Sequence, residues 1–164
     1  MTAPVRAPRR LTAREAGSTI QRMHAFLEAH AADYMTREVV TVSPATPVGE
    51  LEDLFTRHNV NGFPVVEAGT LLGMVTTLDV LKVYVFTPAH IVPHYDELAR
   101  VPAREVMTRD PQTFAPEAPL TRILAGLVQR RFKSFPVVEH GRLVGIIARE
   151  DVVRALRDAR TTAA

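Results

Sequence analysis

An internal repeat constrains this chain more than any other feature, because the sequence aligns on itself without a gap when it is shifted by 72 residues. Residues 35–80 and 107–152 are identical at 16 of 46 positions, whereas unrelated segments of ordinary composition would share about three. The longest match sets Phe63-Pro64-Val65-Val66-Glu67 on Phe135-Pro136-Val137-Val138-Glu139. One copy of about 50 residues is too small to bury much core alone, so we expect the fold to be built from both copies.

Each copy is typical of the element order β-α-β-β-α. The β-branched run Val39–Val42 predicts a strand, and Thr46 before Pro47 predicts the start of a helix. Apolar residues then recur at helical spacing, at Val48, Leu51, Leu54 and Phe55 in the first copy and at Leu120, Ile123, Leu124, Leu127 and Val128 in the second. A hairpin turning at Gly69 follows, and Thr76 or Thr77 caps a last helix through Val80 and Leu81. We predict a mixed α/β (α+β) fold in which the two copies pack sheet on sheet and share a core.

The repeats divide the chain into five parts. We expect a disordered arm plus an N-terminal helix at 1–31, the first repeat at 32–86, a connector at 87–102, the second repeat at 103–157 and a tail at 158–164. Thr12 and Glu15 form a capping box for a helix over 12–30. Its apolar face must be covered by the pair of repeats or by a partner, and it comprises Ile20, Met23, Phe26 and Leu27.

Composition excludes several classes of function. There is no cysteine, so disulfides and thiolate metal sites are ruled out. No apolar run reaches the roughly 18 residues of a membrane span, and no signal peptide is evident, so we expect a cytoplasmic protein. The net charge is +2, with all basic residues except Lys82 and Lys133 being arginine. We attribute this to an arginine-rich surface rather than to nucleic-acid binding.

We also expect no enzyme and no metal site. The sequence has no nucleophile elbow, no phosphate-binding P-loop and no dinucleotide-binding glycine pattern. His90 and His94 have the spacing of two ligands on one helix, but Pro93 between them breaks such a helix.

The residues at the end of the first predicted hairpin are the candidates for a binding site. Gly73 to Asp79 reads G-x-x-T-x-x-D where a strand passes into a helix. The first amides of a helix and a threonine hydroxyl suit a phosphate, and a carboxylate can accept both hydroxyls of a ribose diol. The competing interpretation is an ordinary helix cap, with Thr76 and Asp79 serving the helix itself. Recurrence of the carboxylate at Asp151 favours a binding role.

The doubled pattern resembles the CBS domain in its tandem pair. The resemblance rests on the Met-Thr opening, the Phe-Pro-Val-Val-Glu strand, the glycine turn and the G-x-x-T-x-x-D ending, and it covers residues 32–81 and 104–153. It implies a pseudo-two-fold pair with two clefts for adenosyl ligands, namely AMP, ADP, ATP or S-adenosylmethionine. One cleft would use Thr76, Asp79, Thr113, Lys133, Phe135 and Pro136, with Lys133 as a phosphate ligand. The other would use Asp151, Ile147, Thr41, Phe63 and Pro64.

The second copy departs from that pattern. Ala148 stands where a threonine is expected, and Asn61 stands in the first copy where a basic residue is common. We therefore expect one good site rather than two. The favoured function is a non-catalytic ligand-sensing module that forms a homodimer and acts on a regulated protein not identified by the sequence. The alternatives are a structural or dimerising module without ligand and, last, a nucleic-acid-binding module.

Overall fold

The computed structural model describes residues 24–85, 95–130 and 132–161. The expectations for the arm, for residues 12–23, for the histidine pair at 90 and 94 and for the last three residues of the tail lie outside this part. In the first half, the elements are α1 (Ala31–Tyr34), α2 (Val48–His58), β1 (Gly62–Glu67), β2 (Thr70–Thr76) and α3 (Thr77–Val83). The connector holds α4 (Tyr95–Leu98). The second half holds α5 (Ala103–Val106), β3 (Thr108–Arg109), α6 (Leu120–Gln129), β4 (Ser134–Glu139), β5 (Arg142–Ala148) and α7 (Arg149–Thr161).

The two β-hairpins confirm the strongest part of the sequence prediction. β1 pairs antiparallel with β2, and β4 pairs with β5, in the same register and with the same irregularity after the fourth residue. Ala68 and Gly69 both adopt positive φ angles, 50° and 83°. Two consecutive left-handed residues are what a tight hairpin turn requires, and glycine adopts this conformation at no steric cost.

The predicted strand at Val39–Val42 is wrong in extent. The segment makes a single parallel bridge, between Val42 and Val65, through hydrogen bonds of Val42 N to the Pro64 carbonyl and of Val66 N to the Val42 carbonyl. Val42 is buried, whereas Val40 is 43% exposed. The buried side chain of Val42 holds that residue against the hairpin. Its β-branched neighbours have no surface to pack on, so the segment does not extend into a longer strand.

The helix boundaries also correct two details. α2 begins at Val48 with Pro47 as its N-cap, while the Thr46 hydroxyl accepts a hydrogen bond from the backbone N of Ser43 instead of capping the helix. In α6, Leu120, Ile123 and Leu127 are buried as expected, but Val128 is 67% exposed. Spacings of three and four identify the apolar face but do not fix its width.

The strands follow the order β1-β2-β5-β4, with β3 pairing on β2. β2 and β5 meet at one register pair, Thr70 with Arg142. These residues hold equivalent positions in the two repeats, 72 residues apart. Equivalent residues of a two-fold arrangement can touch each other only near its axis, so a pseudo-two-fold axis passes close to this contact.

The molecule has two cores rather than the one shared core predicted. The first repeat's core includes Ala103 from the segment leading into the second repeat. The second repeat's core includes Phe26, Ala31 and Met35 from the segment leading into the first. Residues 24–28 are helical, and Phe26 is buried while Leu27 is exposed, so these two do not share a face as predicted. The repeats are therefore held together by an exchange of leading segments.

Candidate functional site

Thr76 and Asp79 form a reciprocal cap at the start of α3. Oδ2 of Asp79 accepts hydrogen bonds from the backbone N of Thr76 at 3.0 Å and from the Thr76 hydroxyl at 2.6 Å. The hydroxyl oxygen in turn lies 3.4 Å from the backbone N of Asp79, which donates to it. The sequence left open whether Thr76 or Thr77 is the cap, and the structure shows that it is Thr76.

The other oxygen of Asp79 faces Lys82. The Lys82 ammonium lies 2.9 Å from Oδ1, while the carboxylate itself is buried. Burial acts to raise the pKa of Asp79, but the hydrogen bonds from Thr76 and Lys82 outweigh it and hold this pKa below its ordinary value. Asp79 is thus a buried, ionised acceptor with most of its capacity occupied.

Asp151 holds the equivalent position in the second repeat with fewer donors. Its Oδ2 accepts from the backbone N of Ala148 at 2.8 Å, and its Oδ1 accepts from Arg154 at 2.8 Å. Because residue 148 is alanine, no hydroxyl competes for Oδ2. Arg154 also donates to the carbonyl of Tyr34 at 2.7 Å and lies over the Tyr34 ring. This arginine therefore ties the second carboxylate to the leading segment of the first repeat.

Lys133 reaches from the second repeat to the first. Its Nζ donates a 2.6 Å hydrogen bond to Oδ1 of Asn61, which is the equivalent residue of the first repeat. The Asn61 carbonyl accepts from the backbone N of Thr77 at 3.4 Å. The structure thus brings Lys133 to the end of the hairpin where Thr76 and Asp79 lie, and this contact is a second one near the pseudo-two-fold axis.

The apolar residues predicted for the clefts lie in the two cores. Phe63 and Phe135 are each 1% exposed, and Pro64, Pro136 and Ile147 are also buried. Phe63 packs on Phe55 with ring centroids 4.7 Å apart, and Phe135 packs edge-on against Phe114 at 4.9 Å. Both phenylalanine rings therefore build the cores, and their side chains offer little surface to a ligand.

Thr41 and Thr113 are exposed. Each immediately precedes the residue that bridges to the first strand of its own hairpin, Val42 in one repeat and Phe114 in the other. They therefore stand beside β1 and β4, at the surface of the two repeats.

Residues that the sequence did not single out contribute to the same region. Lys82 and Arg154 lie three positions after the carboxylates that they contact, a spacing that places side chains together on a helix. Phe132 is 45% exposed beside Lys133, with its ring 5.5 Å from that of Phe135. The two charge pairs could have been predicted from their i, i+3 spacing in the sequence, whereas the exposure of the Phe132 ring could not.

A cavity of about 460 Å³ lies elsewhere in the molecule. It borders the turn end of the first hairpin and the segment leading into the second repeat. None of the predicted site residues lines it. The lining residues are Pro44, Ala45, Glu67, Leu71, Leu72, Arg104, Met107, Arg109 and Asp110.

The described part of the chain holds neither a metal-binding cluster nor a membrane-spanning helix. No group of three or more histidine, aspartate or glutamate side chains in 24–85, 95–130 and 132–161 could hold a metal ion. Within the same ranges, no helix combines the length and apolar character needed to span a membrane.

Comparison with known proteins gives one consistent result. The CBS domain model matches residues 31–85 and 103–158. The CBS domain-containing protein YhcV of Bacillus subtilis is 33% identical over 120 residues, which cover 73% of this chain and 80% of that protein. An inosine-5'-monophosphate dehydrogenase of Korarchaeum cryptofilum is 30% identical over 123 residues, which cover 74% of this chain but only 23% of the enzyme.

A solved structure carries the same fold together with a ligand. The complex of CBSX2 with AMP superposes with a TM-score of 0.66 and 27% sequence identity, over 79% of this chain and 96% of that one. CBSX2 is a CBS-pair protein of Arabidopsis thaliana.

Proposed function

Because the chain belongs to the CBS domain family and carries the domain twice, we propose that it is a regulatory module that senses an adenosyl ligand bound between its two repeats. The observation that carries the proposal is the pair of buried carboxylates, Asp79 and Asp151, at equivalent positions on the two hairpin ends. A buried carboxylate in such a place can accept the two hydroxyls of a ribose. The AMP complex of the structurally similar CBSX2 supports the class of ligand.

We assign the parts of the first cleft as follows. Asp79 would accept the ribose hydroxyls, and the Thr76 hydroxyl and Lys133 ammonium would contact the phosphate. Thr113 and the exposed ring of Phe132 stand on the second repeat, where an aromatic face suits stacking on a purine. The second cleft would use Asp151 with Thr41. Phe63, Pro64, Phe135, Pro136 and Ile147 would shape the clefts from within the cores.

The regulated target belongs to the proposal as well. This chain spans 23% of the inosine-5'-monophosphate dehydrogenase that it resembles, so a segment similar to this pair of domains also occurs inside a much longer enzyme. We propose that the ligand-dependent state of the pair is read by a protein partner.

The test removes the carboxylates and measures ligand affinity and stability on the same samples. We expect AMP to raise the thermal unfolding midpoint of the wild-type protein. Asp79→Ala combined with Asp151→Ala should weaken AMP binding about tenfold to a few hundredfold, because each hydrogen bond to a charged acceptor contributes about 1.5–3 kcal/mol.

A matched control separates ligand binding from helix capping. Asp33 accepts a hydrogen bond from the backbone N of His30 at 2.8 Å in the same reciprocal arrangement, but its carboxylate is exposed rather than buried. Asp33→Ala should cost stability without changing AMP affinity.

A structural module is the second candidate, and the reciprocal cap between Thr76 and Asp79 is the observation in its favour. Under that interpretation the carboxylates serve the helices alone. Loss of Asp79 would then cost about 0.5–2 kcal/mol of stability. A double variant that is destabilised but binds AMP as well as the wild type, or a wild type that binds no adenosyl compound, would replace the sensor by this candidate.

A further inference from the structure

The two cleft carboxylates differ in the number of hydrogen bonds that they can still accept. A carboxylate has about four acceptor positions, two on each oxygen. Oδ2 of Asp79 already accepts the amide and the hydroxyl of Thr76, and its Oδ1 accepts Lys82. Asp151 accepts one donor on each oxygen, from Ala148 and from Arg154. Counting donors from the described residues only, Asp151 has one further acceptor position on each of its two oxygens, whereas Asp79 has one on Oδ1 alone.

This difference decides how a ribose can be held. The vicinal hydroxyls of a ribose make a paired contact when each donates to a different carboxylate oxygen. Asp151 can accept such a pair as it stands. Asp79 can do so only after the Thr76 hydroxyl has turned away from Oδ2. The short 2.6 Å distance of that hydroxyl bond means that breaking it without a replacement acceptor is costly.

A phosphate supplies the replacement acceptor. A hydroxyl carries one hydrogen, so it can donate to Oδ2 of Asp79 or to a phosphate oxygen, but not to both. Lys133 lies at the same end of the hairpin and is bound to a neutral amide, Asn61, which it can exchange for a phosphate at little cost. At the second carboxylate the corresponding residues are Ala148 and Asn61, which provide neither the hydroxyl nor the cation.

We infer that Thr76 acts as a phosphate-dependent latch, so that the two clefts differ in ligand class. The Asp79 cleft takes phosphorylated adenosyl ligands, because the phosphate draws the Thr76 hydroxyl away and frees Asp79 for the ribose. The Asp151 cleft takes adenosyl ligands with or without a phosphate, because no hydroxyl blocks its carboxylate. This inference rests on the proposed function and adds to it the residue that separates the two sites.

The experiment isolates each cleft and compares AMP with adenosine by calorimetry. Asp151→Ala leaves the first cleft, and Asp79→Ala leaves the second. In the first cleft we expect AMP to bind at least about tenfold more tightly than adenosine. Thr76→Ala in that background should raise adenosine affinity about tenfold or more, because the hydrogen bond from the Thr76 hydroxyl to the ionised Asp79 carboxylate no longer has to be broken. It should lower AMP affinity.

The reciprocal change tests the second cleft. Ala148→Thr, in the Asp79→Ala background, should lower adenosine affinity about tenfold or more, because the new hydroxyl would occupy the Asp151 carboxylate. Thr76→Ser keeps the hydroxyl and should preserve the preference of the first cleft for AMP, and unfolding midpoints measured on every variant identify any loss of folding.

The outcomes distinguish the two hypotheses. If neither single-cleft variant nor the wild type binds AMP or adenosine, the proposed function fails. If the clefts bind both compounds but adenosine affinity is not raised by Thr76→Ala and not lowered by Ala148→Thr, the proposed function stands and the latch is overturned.

Discussion

At the scale of single residues, the site is built from side chains that serve the fold and offer chemistry at once. Asp79 caps α3 through Thr76 and pairs with Lys82. The ordinary role of such a residue is to accept hydrogen bonds from the first amides of a helix. The same carboxylate can also bind a ligand as long as some of its acceptor positions are unoccupied. The alanine at 148 illustrates the point, because it removes one donor and leaves the second carboxylate more accessible to a ligand's hydroxyls.

The first prediction at this scale concerns pH. The pKa of folded Asp79 lies below its ordinary value of 3.8. Its ionised form therefore contributes stability that is fully present above that value and is lost as the pH falls through the lower, folded pKa. We expect Asp79→Asn to reduce the steepness with which the free energy of unfolding declines below about pH 4, as measured by urea denaturation at a series of pH values.

The wild-type protein measured in parallel is the reference for this comparison. Equal slopes in the two proteins would mean that Asp79 has the same pKa in the folded and unfolded chains. The hydrogen bonds from Thr76 and Lys82 would then contribute nothing to the ionised form.

At the scale of elements, each hairpin is held against the leading segment of the other repeat. Gly73 in β2 faces Met107 and the backbone of Thr108, and a Cβ there would lie 2.7 Å from the Thr108 carbonyl. Gly145 in β5 faces Met35 in the same way. The glycine that opens the G-x-x-T-x-x-D pattern is therefore explained by close backbone approach rather than by a turn.

The second prediction follows from this contact. Gly73→Ala should destabilise the protein by about 1–3 kcal/mol, because the added methyl overpacks the contact between β2 and β3. Amide hydrogen exchange at Thr108 and Arg109 should become faster, since the leading segment is the part displaced.

Gly141→Ala provides the control. A Cβ at Gly141 meets no atom within 4 Å, although the φ angle of 78° makes the substitution strained. It should cost about 1–2 kcal/mol without changing exchange in the leading segment. Unchanged exchange at 108–109 in Gly73→Ala would show that the close approach does not hold that segment.

At the scale of the whole molecule, the two repeat-ending helices present apolar side chains to solvent. Leu78, Leu81 and Val85 are exposed on or just after α3, and Val153 and Leu156 are exposed on α7. Leu81 and Val153 occupy equivalent positions, so the pseudo-two-fold symmetry gives the molecule two matching apolar faces. Exposed apolar surface of this kind favours association.

The third prediction is a homodimer in which these faces are buried. Sedimentation analysis of the wild type should show a dimer, and Leu81→Glu with Val153→Glu should weaken it, because charges would then have to be buried in the interface. Thr56→Glu on the exposed side of α2 should leave association unchanged. A wild type that remains monomeric at all concentrations would contradict this prediction.

The sequence by itself determined what depends on neighbours in the chain. The repeat, the hairpins with their turn at Gly69, and a helix cap at Thr76 or Thr77 follow from short-range spacing and from residues with special conformations. The hairpins and their glycine turns recur 72 residues apart because both copies contain the same local pattern. The family, and with it the fold class, could be predicted on that basis.

The tertiary structure alone decided which residues meet across the molecule. Local sequence patterns do not show that the two repeats exchange their leading segments. The sequence therefore predicted one shared core, whereas the chain forms two. They also predicted a strand at Val39–Val42, since β-branching is visible in sequence but the missing surface against which Val40 would pack is not. Two further features were decided by the tertiary structure. They are the burial of Phe63 and Phe135 and the contact of Lys133 with Asn61. Each depends on how two distant segments approach, which long-range packing fixes and sequence spacing does not.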